Sequence, residues 1–210
     1  MEQEDIFKPQ ENCGIFGIYS GKPNVSVRIY EGMRKLQHRG NESYGIATFS
    51  EPERRIILNR KMGHVFKGYA RDEFEQLDGH FGGGHIRYST RGTSDILHAQ
   101  PFYFKSQNFG EFALMHNGTI RNADELKKNY SLRDFFSSSD SEVAGRVISL
   151  GKDLVDGIKL FSKDAFGSYS FLIVNNEGLY AVRDPFGIKP LCIGNLNGDV
   201  AISSESCAFG

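Results

Sequence analysis

The chain is short of several things, and each shortage closes a class of reading. Three cysteines, Cys13, Cys192 and Cys207, are spread over 210 residues with no CxxC pair. So odd and scattered a set supplies neither a disulfide framework nor a zinc site built on paired thiolates. Lysine plus arginine (25) almost cancel aspartate plus glutamate (26), for a formal net charge of -1. That balance offers no footprint for nucleic acid or an anionic membrane. No apolar run approaches the about 18 residues of a membrane span. The opening MEQEDIFKPQEN is acidic and polar, whereas a secretory signal starts basic and then turns apolar. Repeats, low-complexity blocks and interdomain linkers are lacking too. His80 and His85 have no HExxH-type ligand spacing around them and read as structural. The Asn-x-Ser/Thr triplets at Asn24, Asn41, Asn117 and Asn129, without a secretion signal, read as chance. These exclusions leave one soluble domain in a reducing, cytoplasmic compartment.

What is present reads as mixed secondary structure. CGIFGIY (13–19) has the continuous apolar character of a buried strand. After Pro23-Asn24, the spacing of Val25, Ile29, Met33 and Leu36 predicts a helix. YGIATFS and RRIILNRK read as paired strands, Asp72 to Leu77 as a short helix, and GHFGGGHIR as a strand ending near Arg87. The stretch from Ser89 to Gln107 lacks periodicity and reads as a functional loop. FALMHNG reads as a strand ending in a turn, and Asn122 followed by Glu125 as a helix cap. SSSDSEVAGRVISL predicts a helix with Val143, Val147 and Leu150 inward; SYSFLIVN, GLYAVRD, KPLCIGN and DVAISSE then close the chain as short strands. Clustered strands and helices, rather than a regular βαβ alternation, indicate an α+β fold.

Cys13 lies directly behind the polar leader. A buried cysteine ordinarily packs as a small hydrophobe. Removal of residues 1–12 would instead give it a free α-amine of pKa about 7.7–8.0, placing nucleophile and base in one residue. Acyl transfer also needs oxyanion donors, and Asn117 with the Gly118 N–H in HNGT offers a pair; a plain Asn-Gly turn is the bland alternative. A zwitterionic amino acid would need a cation for its carboxylate and an anion for its ammonium. Arg87 in HIRYST can grip the first bidentately, and Asp140 can receive the second, unless it is merely an N-cap. Arg39 in LQHRGNESYG follows a helix end, where binding the last carbonyls is an equal alternative.

CGIFGI, LQHRGNESYGI, GHIRYSTRG, AQPF, HNGTI, SDSE, GLYAVRDPFGIKPL and SSES, in that order, resemble the glutaminase domain of class II glutamine amidotransferases. RYST and AQPF point to the amidophosphoribosyltransferase branch, as does a cysteine behind a short propeptide-like leader. The resemblance covers residues 13–210 and implies a four-layer αββα sandwich of the N-terminal nucleophile hydrolase type. It implies Cys13 as nucleophile, Asn117 and Gly118 as oxyanion hole, Arg87 for the glutamine carboxylate and Asp140 for its amino group. Tyr88 and Thr90 would sit on a loop closing over glutamine, with Arg39 against that loop. Ammonia released from glutamine would pass to a phosphoribosyltransferase domain or subunit, forming phosphoribosylamine in purine biosynthesis. No metal or cofactor is implied for this domain; a full-length relative would need magnesium for phosphoribosyl pyrophosphate and is expected to be a homo-oligomer. Cys192 and Cys207 are expected to pack rather than to ligate a cluster.

Asn41 and Tyr44 stand where the family commonly has Gln and Ala, and Arg91 where a small residue is usual. No acidic phosphoribosyl-pyrophosphate signature follows SSESCAFG, so the expectation is a shortened form or a separate glutaminase subunit. The alternatives are a non-catalytic regulatory or assembly module that keeps its leader, and a glutaminase domain serving another acceptor, as in asparagine- or glucosamine-6-phosphate-forming enzymes.

Overall fold

The computed structural model describes residues 13–88 and 95–210. In chain order these form β1 (Gly14–Tyr19), α1 (Ser26–Lys35), β2 (Ser43–Ser50), β3 (Arg55–Met62), α2 (Arg71–Gln76), β4 (Phe81–Arg87), β5 (Phe102–Ser106) and β6 (Gly110–Ile120). There follow α3 (Ala123–Asn129), α4 (Asp140–Ile148), α5 (Leu154–Asp164), β7 (Gly167–Asn175), β8 (Gly178–Arg183), β9 (Cys192–Leu196) and β10 (Asp199–Ser203).

The strands make two antiparallel sheets, a six-stranded one ordered β3-β2-β4-β1-β10-β9 and a four-stranded one ordered β5-β6-β7-β8. Side chains alternate faces along each strand, and the three apolar clusters follow that alternation. Phe16 and Ile18 of β1 pack with Ile29 and Met33 of α1. Ile15 of β1 points the other way, joining Ala47, Ala113, Met115, Leu172, Val174 and Ile202 between the sheets. Leu114, Phe171 and Ile173 cover the far side of the second sheet against Val143, Val147 and Phe161 of α4 and α5. The layers therefore run helix, sheet, sheet, helix: the αββα sandwich expected from the resemblance. The helix predicted after Pro23-Asn24 is α1, and Val25, Ile29, Met33 and Leu36 are all fully buried.

Several expectations need correction. The region from Ser89 to Gln107 is not all loop, because β5 lies within it with Phe102, Phe104 and Ser106 inward and Tyr103 and Lys105 outward. Residues 89–94 of that stretch lie outside the described residues. HNGT does not end a strand, since β6 pairs with β7 through Asn117, Gly118 and on to Ile120. Asn122 precedes α3 but makes no cap bond; its carboxamide instead donates to the Asp164 carbonyl (2.8 Å) and accepts from Phe166 N–H (2.8 Å), tying α5 to β7. Leu150 is 48% exposed because α4 ends at Ile148 and the chain is already turning toward α5. A further helix, α5, carries Leu154, Ile158 and Phe161 on one face. That helix approaches α4 closely at Gly157, where a Cβ would lie 2.0 Å from the Ile148 carbonyl oxygen. Cys207 is exposed, with its thiol 3.5 Å from Glu205, so it is not a packing residue; Cys192 is half-buried.

Candidate active site

The period-two alternation that sorts the core also assembles the site. Cys13, the residue just before β1, is two positions from Ile15; along β4, His85 and Arg87 follow Gly83, whose α-carbon faces Met115. Along β6, Asn117 follows Ala113 and Met115, and past β10 Ser204 follows Ile202. All of these positions share the layer between the sheets, at the end where β1 begins.

Cys13 is clasped at both backbone atoms. Its N–H donates to the Arg39 carbonyl (2.8 Å) and its own carbonyl accepts from Arg39 Nε (2.7 Å). The Arg39 guanidinium is also paired with Glu205 and is only 1% exposed. This side chain therefore holds the residue carrying the thiol. Its predicted place against the closing loop involves residues outside the described ones. Gly14 pairs with Ile86, so the next position brings Cys13 alongside Arg87 and Tyr88. The Cys13 Sγ lies 4.0 Å from the Tyr88 carbonyl oxygen. Burial pushes the thiol pKa up, while a backbone hydrogen bond at Tyr88 and the charges of Arg87, Arg39 and Lys189 pull against it. Desolvation disfavours the thiolate and the cations favour it. Since desolvation dominates, attack needs a base.

Arg87 reaches across to Glu42, pairing through one guanidinium nitrogen; both side chains are mostly buried, and Glu42 Oε2 has no partner among the described residues. Asn117 is fully buried and is linked to β1 at Ile15 through Ser204, whose Oγ accepts the Ile15 N–H at 3.0 Å and lies 3.5 Å from Asn117 Nδ2. Gly118 has φ +151, and a Cβ there would sit 2.2 Å from the Ser168 carbonyl oxygen. Only glycine keeps this close strand pairing with its present backbone.

The cap alternative for Asp140 does not hold. Ser139 is the N-cap, its side chain accepting from Ser141 N–H (3.2 Å), and Asp140 is the first helical residue. One Asp140 oxygen accepts the Ile120 N–H (2.7 Å), and the other lies 3.9 Å from His116 Nδ1. A partly exposed carboxylate is thus fixed to β6 three positions beyond Asn117, reaching the group through that strand rather than through the cysteine. His85 and Gln100 brace the intervening strand: His85 Nε2 meets the His116 carbonyl (3.0 Å), and Gln100 Oε1 accepts the His116 N–H (2.6 Å).

The structure thus brings Cys13, Arg39, Arg87 and Tyr88 together directly, and attaches Asn117, Gly118 and Asp140 through β6. Thr90 lies outside the described residues. Glu42, Ser204, Glu205 and Lys189 went unremarked as site residues, although NES, SSES and IKPL already carried them.

Comparison with known proteins bears on the family. A glutamine amidotransferase domain family matches residues 85–210. Amidophosphoribosyltransferases of Methanocaldococcus jannaschii and Methanothermobacter thermautotrophicus are 43% and 40% identical over 94% and 95% of this chain. The chain spans only 43% of the length of each. The glutamine phosphoribosylpyrophosphate amidotransferase of B. subtilis, solved with ADP and GMP, superposes with a TM-score of 0.83 at 33% identity, over 94% of this chain and 43% of that one. A structure described as the allosteric regulatory enzyme of purine biosynthesis gives 0.85 at 34% identity, with the same coverage. The chain belongs to the class II glutamine amidotransferases, in the amidophosphoribosyltransferase group.

Proposed function

We propose that this domain hydrolyses glutamine and hands the ammonia to a phosphoribosyl acceptor on a partner domain or subunit, forming phosphoribosylamine for purine synthesis. The observation that carries this reading is the double clasp of Cys13 by Arg39, which presents the thiol beside Arg87 on the face shared with Asn117. The leader 1–12 lies outside the described residues; in this reading scission before Cys13 frees the α-amine. That amine takes the thiol proton, and the thiolate attacks the glutamine Cδ. Asn117 Nδ2 and the Gly118 N–H receive the oxyanion. The amine then returns its proton to the departing nitrogen, ammonia leaves, and a γ-glutamyl thioester remains. Water, deprotonated by the same amine, releases glutamate and restores the thiol. Arg87 binds the glutamine carboxylate with donors not used by Glu42, Asp140 binds the ammonium, and Tyr88 and Thr90 belong to the loop that shuts out water.

Magnesium would serve phosphoribosyl pyrophosphate on the partner domain. Among the described residues no group of three His, Cys, Asp or Glu is placed to hold a metal ion. No described helix is long and apolar enough to cross a membrane, and a cytoplasmic homo-oligomer is the proposed setting.

The test is glutamate release from glutamine by the purified chain and by Cys13→Ala, with intact mass reporting the N-terminus. Activity confined to the wild type, in molecules beginning at Cys13, is expected. Equal background rates in both proteins would overturn the enzyme reading in favour of an assembly module. Full activity with the leader attached would overturn the processing step.

A further inference from the structure

We infer that Ser204 is a positioning residue for the oxyanion site, fixing which end of the Asn117 carboxamide is offered to the substrate; this rests on the glutaminase reading. Both side chains are fully buried. Ser204 is anchored to the nucleophile strand twice: its N–H donates to the Ile15 carbonyl (3.0 Å), and its Oγ accepts the Ile15 N–H (3.0 Å). A hydroxyl has one proton and two lone pairs. With one lone pair committed to Ile15, the proton needs an acceptor. Asn117 supplies one, because among the described residues its buried Oδ1 has no partner, while its Nδ2 stands at a long 3.5 Å from Ser204 Oγ.

The two ends of a carboxamide have nearly the same shape, so hydrogen bonding decides which end faces a neighbour. A half-turn of Asn117 about its last torsion satisfies everything at once. Oδ1 then takes the Ser204 proton, and both Nδ2 hydrogens are left for a ligand. That is the orientation an oxyanion demands, since a carbonyl oxygen pointed at it would repel it. Ser204 thus links the backbone one residue past Gly14 to the oxyanion donor on the opposite sheet, setting both the spacing and the polarity of the pair.

The experiment is a double-mutant cycle on the full chain, measuring kcat and KM for glutamate release in Ser204→Ala, Asn117→Ala and the double variant. Loss of an oxyanion donor costs about 100- to 1,000-fold in kcat, which is the expectation for Asn117→Ala. Ser204→Ala is expected to lower kcat about 10- to 100-fold with KM within about twofold, because the donor remains but loses its orientation. In the double variant the Ser204 change adds nothing, since the residue acts through Asn117. A purely structural serine would depress kcat equally in both backgrounds, and that additivity overturns the inference. So does wild-type kcat in Ser204→Ala. Should Ser204→Ala fail to fold, as judged by its thermal midpoint, Ser204→Cys keeps the volume with a weak donor; the same kcat loss supports the inference and full kcat overturns it. An inactive wild type matching Cys13→Ala removes the glutaminase reading and this inference together, whereas an active wild type with an indifferent Ser204 removes the inference alone.

Discussion

Exchanging His85 for glutamine should flatten the protein's loss of stability in acid. The ring is fully buried in β4, with Nε2 3.0 Å from the His116 carbonyl. Burial is the main force that drives its pKa from 6.5 down to about 3; the bond to His116 opposes, and the charges of His116 and Arg87 assist. An unfolded chain takes up this proton as pH falls through about 6.5, while the native ring stays neutral until about 3. Protons therefore favour unfolding: the stability is whole above about 6.5 and drains away down to about 3, by about 1.4 kcal/mol per pH unit. At pH 4.5 one ring accounts for about 3 kcal/mol, against the about 5–15 kcal/mol that holds a typical domain together. Desolvation lowers the pKa of buried His116 as well, steepening the wild-type decline further. Glutamine keeps a donor for the His116 carbonyl and takes no proton. Urea unfolding at pH 7.5, 6.5, 5.5 and 4.5 would measure both proteins. His85→Gln should start weaker through imperfect packing, with its deficit shrinking by about 3 kcal/mol at pH 4.5. Carboxylates whose pKa is lowered by partners, such as Glu73 bonded to Lys61, weaken both proteins alike and cancel. Parallel stability curves would refute the assignment of a neutral buried ring.

If Asp140 binds the glutamine ammonium as proposed, Asp140→Asn should raise KM for glutamine about tenfold or more while kcat falls less; an unchanged KM would remove Asp140 from the binding site. Gly157→Ala drives a methyl to within 2.0 Å of the Ile148 carbonyl oxygen. It should cost about 1–3 kcal/mol in urea unfolding and leave kcat of the folded fraction untouched. In the proposed mechanism kcat/KM should climb with pH and level off above about 8, where the α-amine freed by scission before Cys13 would be largely unprotonated and able to accept the thiol proton. A profile that falls across that interval would exclude the amine as base.

Strand parity made much of the site legible. Cys13, Arg87 and Asn117 each keep step with inward-facing neighbours along their own strands, so a reader of the sequence can place all three on inner faces. What parity cannot show is which strands become neighbours. The links Arg39–Glu205 and Arg87–Glu42 span 166 and 45 residues, and Ser204 meets Asn117 across 87. No local pattern encodes such distances. The errors have local causes instead. In β5 the outward Tyr103 is aromatic and the inward Ser106 polar, which blurs its alternation, and the glycine within α5 masks a helical repeat. Asn122 has a capping composition but finds stronger partners in Asp164 and Phe166. Asn117-Gly118 looks like a turn because glycine suits one, yet here glycine lets two strands touch.

Cys13 adopts a φ of +69, a left-handed setting that costs an ordinary L-residue about 1–2 kcal/mol. A torsion about that N–Cα bond is defined only while a carbonyl carbon precedes the nitrogen. Hydrolysis of the peptide link before Cys13 would abolish the angle itself and its penalty with it. The Arg39 carbonyl would remain as an anchor for the liberated nitrogen. The fold thus holds this residue wound against its preference, and scission there, were it to occur, would release that strain and resist reversal.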